Sequence, residues 1–302
     1  MPVQAIPLPL SGNTTEQQRE ALREVLADAV RIAYDRALQQ LDRQTAQTIL
    51  ETESQVKCEI AALMAEAIRR RTVSDKYKDE EVGSDRVYPS SFRIRPVDAQ
   101  LLELRKHFPR LGACDVKLSR RPLLPGAEAW FVIPRWQAVA PTYNEAVEAA
   151  LGTVAARRRF DNRLAGRLGP AHLRPSERSQ LAERILTEQQ SGNEILVVAA
   201  QVGMLHRGTS ARRTRVSMAP NEFALGVFAF LCILLTHPER LSACETLMVD
   251  CGGDQYSVHG NGIFDRVPLF DYSLNGIEFS CFYEDRARNY WGTPTGFLCK
   301  PA

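Results

Sequence analysis

Two long apolar segments, separated by a short basic loop, limit what the middle of this 302-residue chain can fold into. The first, Ile195 to Leu205, is rich in β-branched residues and lacks the alternation of a strand with one solvent-facing side. Such a run is typical of a strand whose two faces are both covered. The second, Asn221 to His237, carries Ala, Leu and Phe every three or four residues. It predicts a buried helix from Pro220 to Thr236, because proline suits the first turn of a helix.

A third apolar segment, Thr246 to Asp250, predicts a second strand after that helix. The connection between the two strands is long enough for a crossover helix, which returns the chain parallel and right-handed. Downstream, the pairs Asn261-Gly262 and Asn275-Gly276 indicate hairpin turns between short antiparallel strands. The C-terminal part is therefore expected to form a mixed sheet that contains a βαβ crossover and terminal antiparallel strands.

The N-terminal part has no proline or glycine between Thr15 and Thr72 and consists mostly of strong helix formers. Its apolar positions, such as Leu22, Leu26 and Val30, recur at helical spacing. One long helix and a helical hairpin that turns near residues 43–47 both fit this pattern. The expected fold class is therefore α+β (mixed α/β), with a long N-terminal helix or helical hairpin followed by the mixed-sheet domain.

Three segments follow from these patterns. Residues 1–72 are the N-terminal helical segment, residues 73–96 are a linker poor in apolar side chains, and residues 97–302 are the mixed α/β domain. A helix as long as the first segment cannot bury its apolar face against itself. We therefore expect a homo-oligomer formed through the N-terminal helix, with packing inside one chain as the alternative.

The loop from His206 to Arg215 is the candidate functional segment, because it would leave the carboxyl end of an inner strand and lead into a helix. It carries four arginines and no acidic residue, and guanidinium groups suit phosphate or carboxylate. Gly208 permits a close approach of the backbone to a ligand. A basic loop that pairs with acids elsewhere on the surface is the competing interpretation. The predicted anion-binding residues are His206, Arg207, Thr209, Ser210, Arg212, Arg213 and Arg215.

The composition limits which binding partners and which cellular compartment we expect for this protein. The net charge is only +2, so contact with nucleic acid or another polyanion would depend on a local cluster. The seven cysteines are odd in number and lack a CxxC pair, which favours reduced thiols in a cytoplasmic protein. The predicted helix is shorter than the ~20 apolar residues needed to cross a bilayer, so no membrane partner is expected.

No cofactor and no metal are expected either. Several oxygen donors lie in one turn-rich region, but their spacing matches no ordered calcium loop, and turns use Asp and Asn for local hydrogen bonds. These donors are Asp250, Asp254, Asn261 and Asp265.

Three functions compete. The first is a self-associating intracellular binding or assembly protein that contacts an anionic partner, nucleic acid or a phosphate group, through the basic loop. The second is an enzyme acting on a phosphorylated or carboxylated small molecule, with His206 as general acid or base within reach of Asp250, Asp254 or Glu222. The third is a purely structural oligomer.

Overall fold

The computed structural model describes residues 76–299 and, before them, positions 20, 23–25, 27, 28, 30, 31, 47 and 60. Those earlier positions are helical, whereas the prediction of one long helix or a hairpin over residues 15–72 lies mostly outside the described residues. The chain divides into two compact units, Met1–Ala67 and Ile68–Ala302. All the helices and strands named below belong to the second unit.

Residues 76–96, the described part of the linker predicted over residues 73–96, belong to the second unit. The Val82 amide donates to the Gly208 carbonyl oxygen at 2.8 Å. Phe92 is buried, and Tyr88 packs against the same apolar cluster. The charge and serine content of this segment suggested a linker, but two aromatic side chains and a backbone pairing attach it to the domain.

The first sheet is antiparallel throughout. Its strands are β1 (Ala129–Pro134), β4 (Ile195–Gln201), β5 (Glu222–Ala224) and β11 (Thr295–Phe297), in the order β1-β4-β11-β5. Every residue of β1 and β4 is buried, which confirms the predicted strand with two covered faces. After β4 the chain makes a 3-10 turn, Met204–His206, so the strand ends before the apolar run does.

The second sheet combines parallel and antiparallel pairs. Its strands are β2 (Phe160–Asn162), β3 (Leu173–Pro175), β6 (Met248–Asp250), β7 (Asp254–Tyr256), β8 (Arg266–Ser273), β9 (Gly276–Tyr283) and β10 (Trp291–Gly292). The main order is β10-β6-β8-β7-β3, with β9 beside β8 and β2 beside β9. Strands β8 and β9 form the hairpin predicted at Asn275-Gly276, and Gly276 has a positive φ of 103°.

Five α-helices lie within residues 76–299: α1 (Val97–His107), α2 (Tyr143–Ala155), α3 (Glu177–Gln189), α4 (Ala211–Ser217) and α5 (Val227–Thr236). Thr142 begins α2 with a capping box, in which its side chain accepts from the Glu145 amide and the Glu145 carboxylate accepts from the Thr142 amide. Ser176 caps α3. None of the described helices is long and apolar enough to cross a membrane.

Two expectations about this region are wrong. The helix predicted from Pro220 begins only at Val227, because residues 222–224 form β5 and pair with β11. The βαβ crossover is absent from the described residues, since β4 and β6 lie in different sheets and both neighbours of β4 run antiparallel to it. Apolar periodicity identified the two strands but carries no information about which strands pair.

The two faces of the first sheet pack against different partners. Trp130, Val132 and Val197 face a large core that also includes apolar residues of α2, α5 and the second sheet. Phe131, Ile133 and Val198 face a smaller cluster that includes residues of α3 and α5. This second face, where α3 covers the sheet, forms one wall of the cleft described below.

Candidate functional site

The predicted basic loop, His206 to Arg215, is largely helical in the structure. His206 is the last residue of the 3-10 turn, Ser210 is the N-cap of α4, and Arg212, Arg213 and Arg215 lie within that helix. Its guanidinium groups contact acidic residues of the same chain. Arg212 pairs with Glu80, and Arg213 pairs with Glu81 at 2.8 Å. Arg215 pairs with Glu284 and also donates to the Asp254 carbonyl oxygen at 3.0 Å.

The remaining polar residues of the loop hold the preceding segment in place. The Ser210 hydroxyl caps α4 and donates to Glu80 Oε2 at 2.6 Å. Thr209 forms a β-bridge with Glu81, and Arg207 Nη1 donates to the Arg86 carbonyl oxygen at 3.1 Å. An anion at this loop would have to compete with these carboxylates. Anion binding by His206, Arg207, Thr209, Ser210, Arg212, Arg213 and Arg215 therefore stays a prediction, and internal pairing accounts for the arginines of α4.

His206 is buried and lies 2.7 Å from Glu222, with Nε2 facing Oε1. Thr295 donates its hydroxyl to Oε1 and the Ala219 amide donates to Oε2 of the same carboxylate. Burial alone raises the pKa of the Glu222 carboxyl, but the hydrogen bond and charge of His206, with the other donors, lower it to about 2. His206 therefore contacts Glu222, one of the three acids predicted to lie within its reach, but both side chains are buried in the core.

A cleft opens on the other side of β5, between the first sheet and α3. Its inner chamber has a volume of about 80 Å³ and is walled mainly by apolar side chains of β1, β4, β5 and α5. A wider outer basin of about 530 Å³ adjoins it and is lined by polar and charged residues. Five residues line both parts and form the throat between them: Arg135, Trp136, Tyr143, Pro175 and Glu183. The cleft therefore narrows from a polar outer basin to an apolar inner chamber.

Four polar or aromatic residues of the cleft lie on helices, on a 3-10 turn or on a strand. Trp136 begins the 3-10 turn that follows β1, and Tyr143 is the first residue of α2, directly after its capping box. Glu183 projects from the middle of α3, and Asp254 begins β7. Rigid elements therefore hold all four side chains.

Asp254 lines the inner chamber and is completely buried. Its Oδ2 accepts from the Tyr143 hydroxyl at 2.6 Å and from the Val227 amide at 2.7 Å. Its Oδ1 is also buried and has no hydrogen-bond partner. Burial raises the pKa of this carboxyl to about 7, although the two donors and Arg215 act to lower it. The unpaired oxygen therefore belongs to a group that exchanges a proton near neutral pH.

Gly226 makes room for that oxygen. A Cβ atom at position 226 would lie 2.5 Å from Asp254 Oδ1 and 2.8 Å from the Tyr143 hydroxyl oxygen. Gly226 also precedes α5, which has no side-chain cap of its own. Asp254 supplies that cap through Oδ2, and its Oδ1 lies beside Gly226 without a hydrogen-bond partner.

Glu183 supplies a second carboxyl at the throat. Its Oε2 accepts from the Trp136 indole at 3.2 Å, and burial raises its pKa although nearby donors and Arg135 act to lower it. Its negative charge also contributes to the raised pKa of Asp254. Two carboxyl groups with raised pKa in one cleft are typical of sites that bind or move protons.

Sequence patterns pointed to only part of this arrangement. Asp254 was weighed there as an oxygen donor beside Asp250 and as a partner of His206, but neither use matches its contacts. Asp250 accepts from the Thr293 hydroxyl and its pKa is raised to about 6 by burial. No cluster of three or more His, Cys, Asp or Glu side chains suited to a metal ion occurs among the described residues. No sequence pattern marks Tyr143 or Glu183 as site residues, because folding alone brings them together in the cleft.

Comparisons with protein-family models, with curated proteins and with solved structures found no match. The function must therefore be argued from the chemistry of the site itself.

Proposed function

We propose that this protein binds a slender small molecule in the cleft between α3 and the first sheet, with an apolar body in the inner chamber. The polar head of this ligand donates a hydrogen bond to Asp254 Oδ1, and a primary alkylamine is the simplest such ligand. The observation that carries the proposal is a completely buried carboxyl group with one oxygen unpaired, on a residue that lines a chamber opening through a throat to solvent.

The energetics favour a donor at that oxygen. A buried acceptor left without a hydrogen bond costs roughly 1–3 kcal/mol, so a ligand that supplies the missing donor recovers this free energy. A charged donor contributes more, because hydrogen bonds between ionised groups are shorter and stronger. The size of the chamber sets the width of the ligand. A volume of about 80 Å³, against roughly 30 Å³ for one water in the liquid, suits a short alkyl chain.

Calorimetric titration with butylamine, at several pH values from 5 to 8, tests the proposal. The amine stays protonated over this range, whereas Asp254 ionises near its raised pKa of about 7. We expect affinity to rise by about tenfold for each pH unit below 7 and then to level off, because the ammonium group binds the ionised carboxylate.

Asp254→Asn is the decisive variant. It keeps an oxygen for Tyr143 and Val227 but places an amide donor where Oδ1 stood, so butylamine binding should disappear. Asp98→Asn, at an exposed position at the start of α1, is the matched control and should bind normally. Tighter binding of butyrate than of butylamine, or unchanged binding by Asp254→Asn, would refute the proposal.

A second candidate is an enzyme that uses Asp254 and Glu183 as an acid and base pair, which the raised pKa of both carboxyls favours. The epoxide 1,2-epoxybutane probes this chemistry. Attack by ionised Glu183 forms an ester bond and breaks one epoxide C–O bond, and protonated Asp254 transfers its proton to the leaving oxygen. Mass spectrometry should find the adduct on Glu183, formed more slowly in Asp254→Asn. Absence of that adduct, or an equal rate in the variant, would exclude the pair.

The predicted anionic partner of the basic loop and the predicted homo-oligomer are separate proposals. Glu80 and Glu81 occupy Arg212 and Arg213, so binding of a DNA oligonucleotide should strengthen in Glu80→Gln/Glu81→Gln and weaken with salt. Light scattering on the full chain and on a chain lacking residues 1–72 tests self-association. A monomeric full chain would refute it.

A further inference from the structure

A second concave surface lies on one face of the β8–β9 hairpin, with a volume of about 480 Å³. Leu269 and Asp271 of β8 are register partners of Ser280 and Glu278 of β9, and these four residues share that face. Arginines close the rim from two loops, one before β3 and one after β9. This pocket shares no lining residue with the cleft between α3 and the first sheet.

The phenol of Tyr256 reaches this pocket from β7. Tyr256 has no exposed surface, and its hydroxyl is buried without a hydrogen-bond partner. Its ring stacks on His172, with the ring centres 6.1 Å apart, so the orientation of the phenol is held. Burial raises the pKa of this phenol, although Arg167 acts to lower it, and the hydroxyl therefore stays a donor at neutral pH. A fixed, unused donor beside a guanidinium group favours an anionic ligand.

Two arginines of the rim have no carboxylate partner within the described part of the chain. Arg167 donates only to the Arg163 carbonyl oxygen, at 2.9 Å, and Arg288 lies over the ring of Phe282 at 4.9 Å. Arg163, in contrast, is paired with Glu278 at 2.7 Å. Positive charge is therefore available at the rim of the pocket.

Two carboxyl groups also line the pocket. Asp271 accepts from the Trp291 indole at 2.7 Å, and Glu278 faces it across the hairpin. Carboxylates there would repel a second anionic group but accept hydrogen bonds from ligand hydroxyls. The pocket thus offers both guanidinium donors and carboxylate acceptors, which suits a molecule that carries one oxyanion and several hydroxyl groups.

We propose that this pocket binds a small hydroxylated molecule with one terminal oxyanion, held by Arg167, Arg288 and the Tyr256 hydroxyl. The oxyanion is a phosphate ester or a carboxylate, and the hydroxyl groups of the ligand contact Asp271 and Glu278. This site is independent of the amine site at Asp254, and the failure of either proposal leaves the other intact.

Protection of Cys281 provides a direct readout. This half-buried thiol lines the pocket, whereas Cys244 is exposed and lies outside it. Alkylation by N-ethylmaleimide, followed by mass spectrometry of each cysteine, should slow at Cys281 and stay unchanged at Cys244 when ribose 5-phosphate is added. Ribose tests the need for the oxyanion, and gluconate distinguishes a carboxylate from a phosphate. Ribose should give no protection.

Three variants test the donors. Arg167→Gln and Arg288→Gln should each weaken binding of the protecting ligand by about tenfold, as expected for a lost charge-assisted hydrogen bond. Arg286→Gln is the matched control, since Arg286 is exposed and lies two positions from Arg288 but does not line the pocket. Tyr256→Phe should also weaken binding while leaving the fold at least as stable, because it removes an unpaired buried hydroxyl.

Weaker binding together with unchanged or higher stability in Tyr256→Phe distinguishes a hydroxyl that contacts the ligand from one that supports the fold. A hydroxyl that served the fold would lower stability when removed, and binding would fall only as a consequence. Equal protection by ribose and ribose 5-phosphate would overturn the proposal. So would a loss of affinity in Arg286→Gln as large as that in Arg288→Gln, or no protection by ribose 5-phosphate and none by gluconate.

Discussion

Glu222 and Asp254 are both buried acids, yet their pKa values move in opposite directions. His206, Thr295 and the Ala219 amide all contact the Glu222 carboxylate, and together they outweigh the effect of burial. For Asp254 the donors reach only one oxygen, so burial dominates. The number of donors around a buried acid therefore decides whether it serves the core or remains available to a ligand.

Glu222→Gln should destabilise the fold strongly. The Glu222 carboxylate has hydrogen bonds with His206, Thr295 and the Ala219 amide, and a hydrogen bond to a charged group contributes roughly 1.5–3 kcal/mol. The pKa of Glu222 is lowered to about 2, so its contribution is complete above the unfolded pKa and is lost as pH falls towards 2. Urea unfolding at pH 7 measures the loss. Glu188→Gln, at an exposed position on α3, should change stability by less than about 0.5 kcal/mol. A small effect of Glu222→Gln would contradict the ion pair.

The sequence alone identifies the arginine cluster, but it does not identify the acidic partners of these arginines or the role of Asp254. Arg212, Arg213 and Arg215 stand out as a charge cluster, but their partners Glu80, Glu81 and Glu284 lie far away in the sequence. No local pattern can reveal such pairs. Asp254 is equally inconspicuous, because a buried acid with one unpaired oxygen looks like any turn residue when the surrounding fold is unknown.

At the scale of single elements, the β8–β9 hairpin shows what a local signal can establish. Asn275-Gly276 predicted a turn at this place, and the strands on either side of it pair. Ser273 is the register partner of Gly276, which follows the two loop residues and has a positive φ of 103°. The start of α5 shows the opposite case. Proline and an acid suggested a helix from Pro220, but pairing with β11 draws residues 222–224 into a strand. Local propensity is decisive only where no distant strand competes for the same backbone.

Gly276→Ala should be more destabilising than its match Gly262→Ala. Both glycines have positive φ, 103° and 84°, and a non-glycine residue there costs roughly 1–2 kcal/mol. At Gly276 the new Cβ would also lie 2.3 Å from the Arg159 carbonyl oxygen, whereas nothing lies within 4 Å at Gly262. Backbone cannot move aside as a flexible side chain can. Thermal unfolding of both variants measures the difference, and equal shifts in Tm would show that the contact is relieved without cost.

At the scale of the whole molecule, strand order was the least predictable property. Both apolar strands of the central stretch exist, but β4 lies in one sheet and β6 in the other. The last strands of the chain, β10 and β11, also divide between the two sheets. Each sheet thus combines segments far apart in sequence, and only the packing of the complete chain determines the pairing. Strand β7 lies between the two proposed sites, since Asp254 and Tyr256 are its first and last residues.

The pH dependence of global stability tests the state of Asp254 in the whole molecule. Its pKa is raised from 3.8 to about 7 by burial, so the folded chain holds this proton more tightly than the unfolded chain does. Its favourable contribution is complete below the unfolded pKa and is lost as pH rises through 7. Asp254→Asn removes this pH-dependent loss of stability, because asparagine does not ionise. The free energy of unfolding of the variant, minus that of the wild type, should therefore increase by roughly 2 kcal/mol between pH 5 and pH 8.

Asp250→Asn provides the comparison, because burial raises the pKa of Asp250 only to about 6. Its difference from the wild type should stop increasing at a lower pH than that of Asp254→Asn. Urea unfolding of the three proteins at each pH measures both curves. A difference for Asp254→Asn that stays constant from pH 5 to pH 8 would mean that this carboxyl is ionised throughout. The amine affinity would then lose its pH dependence as well, because the same proton controls both measurements.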